Sequence, residues 1–329
     1  MARLLVAGKM HPSGVALLKA YESRGVIVDY VEEVSEASYA PLIAEADALV
    51  IRTQPLSAAT IAKARKLKVV SRHGVGYDSV DLAALNARGI GLTVVGDVNS
   101  ISVAEHAMTQ LLACAKRALR ADRAVREIGQ WGWRNRLEPQ EVFNRHLLII
   151  GYGRIGRHLA KMAAGFNMQV RAYDPYLERT GWPEGSVRPV SLEEGLAWAD
   201  FISIHTPRGD RPTLGAEEFA RMKPGVIIAN TARGGVVCER ALAEGLASGH
   251  VAGAGLDVFD EEPPTRINPL FTHDNAVLSP HIAGLTAECS ERMALSSIEN
   301  AMNFLEGTVD SSLVVNPEHL DPATVPLPA

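Results

Sequence analysis

Cysteine is scarce in this chain. Only Cys114, Cys238 and Cys289 occur among 329 residues, far apart and without paired spacing. That excludes a disulfide framework or a cysteine-based zinc cluster, so no metal is expected and a reducing, cytoplasmic setting is. Long apolar runs are missing too: nothing approaches the roughly 18 residues of a membrane span. The opening Met1-Ala2-Arg3-Leu4-Leu5-Val6-Ala7-Gly8 reads as a first strand rather than a signal peptide. Positive charge is not in excess, with 33 Lys and Arg against 38 Asp and Glu, so no basic face is offered to nucleic acid or anionic lipid. Repeats and low-complexity linkers are absent. The partner left by these exclusions is a small soluble molecule, with no nucleic acid and no membrane.

What is present is ordinary globular material, 47% hydrophobic and 22% charged. A chain of this length exceeds what one hydrophobic core usually serves, so two domains are expected. Short β-branched runs near residues 4–7, 26–31, 48–51, 68–72 and 91–95 alternate with helical stretches, the punctuation of a parallel α/β sheet. A long helix is expected from Ile101 to about Glu127, with Ser100 or Ser102 as N-cap. Further strands are expected near residues 146–150, 169–174, 201–205, 226–230, 252–256 and 276–278. A last amphipathic helix is expected over 286–305, and the Pro-containing stretch from Asn316 on reads as extended on the surface. The helices near residues 101 and 286 are the expected double crossing between two domains, with substrate in a cleft between them.

The most informative stretch is His146-Leu147-Leu148-Ile149-Ile150-Gly151-Tyr152-Gly153-Arg154-Ile155-Gly156-Arg157. It reads as a buried strand running into a glycine turn and a helix. Gly151 would permit the tight turn, Gly153 would let backbone approach a pyrophosphate, and Gly156 would let the helix lie close on the strand. Arg154 and Ile155 open that helix, whose N-terminal N–H groups favour an anion. The next strand ends in Asp174, roughly 20 residues past the glycines, where a carboxylate can bind the adenine ribose hydroxyls and argues for NAD over NADP. A second glycine turn, His73-Gly74-Val75-Gly76-Tyr77-Asp78-Ser79, has Ser79 at the third glycine position and so is not a second dinucleotide loop. Asp78 and Asp81 could cap the helix that follows it.

Five further segments stand in order around that loop: Arg72-His73-Gly74-Val75-Gly76-Tyr77-Asp78, Asn99-Ser100-Ile101-Ser102-Val103-Ala104-Glu105, Asn230-Thr231-Ala232-Arg233-Gly234-Gly235-Val236-Val237, Gly255-Leu256-Asp257-Val258-Phe259-Asp260-Glu261-Glu262-Pro263 and Ser279-Pro280-His281-Ile282-Ala283-Gly284. Together with the loop, and over nearly the whole chain, they resemble the D-isomer-specific 2-hydroxyacid dehydrogenases, most closely the phosphoglycerate dehydrogenase branch. The resemblance implies a Rossmann dinucleotide-binding domain inserted in a flavodoxin-like substrate domain. The expected boundaries are 1–100 with 287–329 for the substrate domain and 101–286 for the NAD domain.

It also implies a catalytic set. Arg233 would hold the substrate carboxylate and carbonyl, His281 would exchange the proton of the 2-hydroxyl, and Glu262 would pair with His281. A histidine can take and return a proton near neutral pH, a carboxylate favours its imidazolium, and an arginine fork matches a carboxylate. Taken singly, an arginine after a strand, a His-Ile-Ala-Gly loop and an acidic Asp260-Glu261-Glu262 run are ordinary surface features. By the same resemblance the N–H groups of Val75 and Gly76 would grip the substrate carboxylate, and Arg52 would face the substrate's distal group with Thr53 and Gln54 beside it. Thr206, Pro207, Ala232 and Asp257 would adjoin the cofactor, Asp257 at the nicotinamide amide. His205 reads as structural.

Two departures stand out. Cys238 occupies a position where the family commonly has an aspartate, and it is a poor N-cap for a helix near Glu239. The stretch Pro207-Arg208-Gly209-Asp210-Arg211-Pro212-Thr213-Leu214 lacks the usual apolar residue after the proline and is expected to form a rebuilt loop. No regulatory domain is expected after the closing helix. Met108, Leu111, Leu112, Ala115 and Leu119, followed by Trp131 and Trp133, make an apolar surface expected to pair two copies in a homodimer. The expected activity is reversible hydride transfer between a D-2-hydroxy acid, with 3-phosphoglycerate as one candidate, and its 2-oxo acid. A glyoxylate or hydroxypyruvate reductase is the alternative. An NADH-sensing corepressor is the reading from another class.

Overall fold

The computed structural model describes residues 1–33, 35–265 and 267–321. The chain divides into two compact units, Met1–Asn99 with the chain from Thr286 on, and Ser100–Leu285.

The first unit is built on β1 (Arg3–Ala7), β2 (Ile27–Val31), β3 (Ala48–Ile51), β4 (Val69–Arg72) and β5 (Gly91–Thr93). All its strand pairs are parallel, in the order β2-β1-β3-β4-β5. That is the flavodoxin-like order, and it reverses between β1 and β3, where ligands of open α/β sheets collect. Alternation along β1 sends Leu4 and Val6 into one apolar layer and Leu5 and Ala7 into the other. The helix Ala287–Glu306 covers the first layer, capped by the Thr286 hydroxyl and stopped by Gly307 at φ 73°. Helix Pro12–Glu22 lies close on it, because a Cβ on Gly14 would stand only 2.9 Å from the Ala294 methyl.

The stretch expected on the surface from Asn316 is instead anchored. Asn316 is fully buried. Its Oδ1 accepts the Leu92 N–H at 2.8 Å, while its Nδ2 donates to Asn86 Oδ1 and the Ile90 carbonyl at 2.7 and 3.0 Å. The polar side chain goes inside because it completes the hydrogen bonding at the edge of β5. Residues 322–329 lie outside the described residues.

The second unit holds β6 (His146–Ile150), β7 (Gln169–Tyr173), β8 (Arg188–Pro189), β9 (Phe201–Ile204), β10 (Val226–Asn230), β11 (Val251–Leu256) and β12 (Ala276–Leu278). Their order is β12-β11-β10-β9-β6-β7-β8 with parallel pairing throughout, the doubly wound Rossmann arrangement plus one outer strand. The helix Ser100–Ala115 lies tightly on β11: a Cβ on Gly255 would come within 2.4 Å of Gln110 Cβ, and one on Gly253 within 3.0 Å of Cys114 Cβ. Met108, Leu111 and Ala115 are consumed by this unit's own core. The single helix expected to run to Glu127 is broken at Arg117, which sits at φ 52°, and a second helix spans Ala118–Arg126. No Gly or Pro marks that break in the sequence. Burial of the Cys114 thiol pushes its pKa up to about 12, which makes it inert.

Candidate active site

Leu147, Leu148, Ile149 and Ile150 are wholly buried and deliver the chain to the glycine turn. Each glycine there has a distinct constraint. Gly151 takes φ 91°, and a Cβ on it would lie 2.8 Å from the His205 carbonyl carbon. A Cβ on Gly156 would stand 2.4 Å from the Gly151 carbonyl oxygen, so only glycine lets the helix pack down. A Cβ on Gly153 would meet nothing within 4 Å. The space over Gly153 is therefore open, at the start of the helix Arg154–Gly165, whose first turn has no side-chain cap. Uncapped N–H groups beside an open glycine suit a pyrophosphate.

Asp174 stands at the end of β7. Its Oδ2 accepts the Tyr152 N–H at 2.8 Å, and its Oδ1 accepts the N–H groups of Tyr176 and Leu177 at 2.9 and 3.1 Å. The carboxylate thus ties the glycine turn to the helix Pro175–Thr180, with an acceptor site left on Oδ2 for a ribose hydroxyl. Past β9, His205 Nε2 lies 3.0 Å from Ser203 Oγ. Burial brings the His205 pKa down to about 3, so its ring is neutral. His205 Nδ1, Thr206 Oγ1 and Thr231 Oγ1 are buried polar atoms with no partner in the chain. Such orphans are rare in a folded protein and are what a polar cofactor would satisfy. Pro207 is exposed and Ala232 buried at the ends of β9 and β10. These groups fit a bound dinucleotide.

The turn after β10 carries Arg233. Asn230 clamps it: Oδ1 accepts the Ala232 N–H at 3.0 Å and Nδ2 donates to the Arg233 carbonyl at 2.9 Å. Arg233 Nη1 donates to the Ala232 carbonyl at 2.7 Å. A Cβ on Gly234 would fall 1.7 Å from the Phe259 carbonyl oxygen, so this turn lies against the segment leading to Glu262. Gly235 N–H donates to Asp260 Oδ1 at 2.7 Å, and Glu239 holds the same segment by accepting from Asp260 N–H at 2.8 Å and Asn268 Nδ2 at 2.7 Å. Cys238 makes no side-chain cap at the helix Glu239–Ser248. In the 207–214 loop, Arg208 lies over Gly235, its Nε 2.9 Å from where a Cβ would be.

His281 Nδ1 is 2.7 Å from Glu262 Oε2, and Glu262 Oε1 accepts the Phe259 N–H at 3.1 Å. The hydrogen bond to Glu262 raises the His281 pKa, against burial and the nearby Arg233 charge. Burial alone would raise Glu262, but its hydrogen bonds from His281 and Phe259 outweigh it and the net shift is down. Each group thus favours the charged form of the other. Asp257, wholly buried, accepts from Ser279 Oγ at 2.5 Å, Ile282 N–H at 2.9 Å and Ala283 N–H at 2.8 Å, while its carbonyl accepts the His281 N–H at 2.8 Å. Sequence reasoning missed Asn230, Glu239, Asp260 and Ser279 as supports of this site. A single polar residue on a helix or at a strand end carries no signal of what it will face.

Arg52, Val75 and Gly76 belong to the first unit. Arg52 Nη1 donates to the Lys9 carbonyl at 2.6 Å, its Nε is buried without a partner in the chain, and so is Oε1 of the buried Gln54. Val75 is exposed at the turn after β4, and Asp81 caps the helix Leu82–Asn86 by accepting from Ala84 N–H at 2.9 Å. His73 is buried there with its pKa brought down to about 3 by burial and then by the Arg52 charge.

Residues 108–283 match the family model described as the D-isomer specific 2-hydroxyacid dehydrogenase, NAD binding domain. The chain belongs to that family. The match covers the glycine turn, Asp174, Arg233, Glu262 and His281 and falls within the second unit. The chain is 39% identical over 307 residues to a D-3-phosphoglycerate dehydrogenase of Mycobacterium tuberculosis, covering 92% of this chain and 57% of that protein. It is 40% identical over 269 residues to a hydroxypyruvate reductase of Thermotoga maritima, covering 80% of this chain and 86% of the relative. Among solved structures, a glyoxylate reductase from Paecilomyes thermophila superposes with a TM-score of 0.85 at 27% identity, covering 96% of this chain and 99% of that one. The chain spans little more than half the length of the curated D-3-phosphoglycerate dehydrogenases it matches. Among the described residues no helix is long and apolar enough to cross a membrane, and no group of three or more His, Cys, Asp or Glu could hold a metal ion.

Proposed function

We propose that this member of the D-isomer specific 2-hydroxyacid dehydrogenases oxidises a small D-2-hydroxy acid with NAD and reduces the corresponding 2-oxo acid with NADH. The observation that carries the reading is the 2.7 Å contact of His281 with Glu262, on a segment hydrogen-bonded to the Arg233 turn. A carboxylate only accepts, so Nδ1 of His281 carries the hydrogen between them and Nε2 is the basic nitrogen. In the oxidative direction Nε2 takes the proton of the 2-hydroxyl and becomes imidazolium, stabilised by Glu262. In the reductive direction the same nitrogen returns it. When bound, the cofactor would supply the hydride acceptor for C2 in oxidation and the hydride donor in reduction. Arg233 holds the carboxylate and polarises the 2-oxo group, and the Val75 and Gly76 N–H groups grip the same carboxylate. Gly151, Gly153, Arg154, Ile155, Gly156, Asp174, Thr206, Pro207, Ala232 and Asp257 serve the cofactor. The second unit is then the NAD domain and the first the substrate domain.

Arg52, with Gln54 beside it, favours an anionic or hydroxylated substrate tail, 3-phosphoglycerate foremost. Hydroxypyruvate or glyoxylate reduction is the second reading, favoured by the Thermotoga maritima relative that this chain matches over 86% of its length. We further propose a homodimer in the cytoplasm. The apolar residues exposed around 118–137 support the pairing and the three unbridged cysteines support the compartment. The deciding experiment measures initial rates of NADH oxidation over 2-oxo acids with neutral, hydroxyl, phosphate and sulfonate tails. A preference for the phosphate or hydroxyl tail assigns the substrate class. NADH binding without turnover on any of them would instead make the chain a dinucleotide sensor of the corepressor kind.

A further inference from the structure

A second histidine lies behind the turn that carries His281, and none of the roles above uses it. His106, in the second turn of the helix Ser100–Ala115, is partly buried with Nε2 2.9 Å from Ser279 Oγ and 3.5 Å from Asp257 Oδ1. We propose that His106 is a positioning residue for His281, acting through Ser279 and Asp257 on the turn 279–283.

Hydrogen counting fixes the direction of this chain of contacts. Ser279 Oγ lies 2.5 Å from Asp257 Oδ1, and a carboxylate only accepts, so the single hydroxyl hydrogen of Ser279 points at Asp257. A second acceptor, the Leu256 carbonyl, lies at a limiting 3.5 Å and does not compete with the 2.5 Å contact. Ser279 Oγ must then accept from its two nitrogen neighbours, His106 Nε2 at 2.9 Å and Gln110 Nε2 at a longer 3.2 Å, the latter also 3.3 Å from His106 Nε2. His106 Nε2 therefore carries a hydrogen. The wholly buried Asp257 in turn receives the Ile282 and Ala283 N–H groups, and its carbonyl receives that of His281. A buried carboxylate holds this turn only while its own donors are in place. The turn needs holding, because His281 adopts φ 52°, a left-handed conformation that a residue with a Cβ rarely takes. The reacting ring is thus fixed from two sides, by Glu262 at Nδ1 and by Asp257 along the main chain. The close seat of the helix on Gly255 brings His106 and Gln110 within reach.

The inference rests on the reading of His281 as the proton carrier, so the test includes a measurement made without cofactor or turnover. His106→Leu removes the N–H while keeping an apolar body of similar bulk, and His106→Gln returns an N–H donor at comparable reach. Ser279→Ala breaks the same relay without touching the helix. The first measurement is the titration of the His281 ring by NMR in the cofactor-free protein, where Glu262, Asp257 and Arg233 are the charged groups facing it. The second set is kcat, KM and the NADH Kd. In His106→Leu and Ser279→Ala the His281 titration falls toward the ordinary imidazole value as the Glu262 contact loosens. In both, kcat falls at least tenfold, while KM and the NADH Kd stay within threefold. His106→Gln restores titration and kcat to within threefold of the parent protein. An unmoved titration in His106→Leu, a glutamine that rescues no better than leucine, or an equal loss of NADH affinity would each overturn the proposal. Absence of turnover in the parent protein would defeat the dehydrogenase reading instead, and the NMR titration would still decide whether His106 holds the turn.

Discussion

His281 Nδ1 and Glu262 Oε2, 2.7 Å apart, set each other's charge: the imidazole pKa is raised and the carboxyl pKa lowered. Reduction of a 2-oxo acid needs imidazolium, so it is supported below the raised His281 pKa and lost as pH rises through it. Oxidation needs the neutral ring and shows the opposite limb. Glu262→Gln removes the carboxylate that raises His281, so the alkaline limb of reduction moves to lower pH. At pH 8 the reductive kcat is expected to fall about tenfold or more, by the lost stabilisation of imidazolium. A pH–rate profile superimposable on the parent's would take Glu262 out of the pair.

The glycine turn allows fold and cofactor binding to be separated. Gly153 has an ordinary φ of −75° and open space where its Cβ would be, so Gly153→Ala leaves the melting temperature unchanged. The added methyl then occupies the approach of a pyrophosphate, and NADH affinity falls about tenfold or more, one such step being worth about 1.4 kcal/mol. Gly156→Ala puts a Cβ 2.4 Å from a backbone oxygen and is expected to cost about 1–3 kcal/mol of stability. Thermal melts alongside NADH titrations check both. A destabilised Gly153→Ala, or one that binds NADH normally, would contradict the assignment of that space.

Much of this was legible because parallel sheets bury both faces of their strands. Runs such as Leu147-Leu148-Ile149-Ile150 stand out, and glycines with a fixed spacing after them mark the turn. The contact of His281 with Glu262 was legible through ordered motifs, since no periodicity distinguishes these residues. Three things were not. The break at Arg117 carries no Gly or Pro and stands beside contacts made from far along the chain, the Gln140 N–H donating to the Ala115 carbonyl at 2.7 Å and Lys116 Nζ to the Gln140 carbonyl at 2.8 Å. The anchoring of Asn316 depends on backbone groups of Leu92 and Ile90, more than 200 positions away. His106 looks like any polar residue on a helix until the glycines of β11 let that helix settle beside Ser279 and Asp257.

Asp174 has two duties, and its removal separates them. Through Oδ1 it caps the helix Pro175–Thr180, so Asp174→Ala is expected to cost about 1 kcal/mol, or roughly 2–4 °C of melting temperature for a domain of this size. The larger effect falls on the cofactor: the ribose contact is lost along with the charge that repels a 2′-phosphate. NADH affinity is expected to drop about tenfold while NADPH affinity drops less or rises. Asp174→Asn keeps an acceptor for the cap and loses the charge, but its amide nitrogen faces the Tyr152 N–H, so it is expected to recover only part of the melting temperature while relaxing the preference. An unchanged NADH to NADPH ratio in both variants would mean that another residue sets it.

The proposed homodimer has a different basis from the one the sequence suggested. Met108, Leu111 and Ala115 are buried in their own unit, so the first helix leaves no apolar excess there to explain. The unexplained surface is the following segment: Leu119, Val125, Ile128, Trp131 and Leu137 are 51%, 67%, 104%, 64% and 83% exposed. Five large apolar side chains within 19 positions are costly to leave in water, and covering them needs a partner surface of the size stable dimers bury, roughly 800 Å² on each side. Light scattering at micromolar concentration is expected to give the mass of two chains. Ile128→Glu combined with Trp131→Glu is expected to give the mass of one, with the melting of each unit's core little changed because neither side chain is part of it. A single-chain mass for the parent protein, or a dimer untouched by both charges, would move the interface elsewhere.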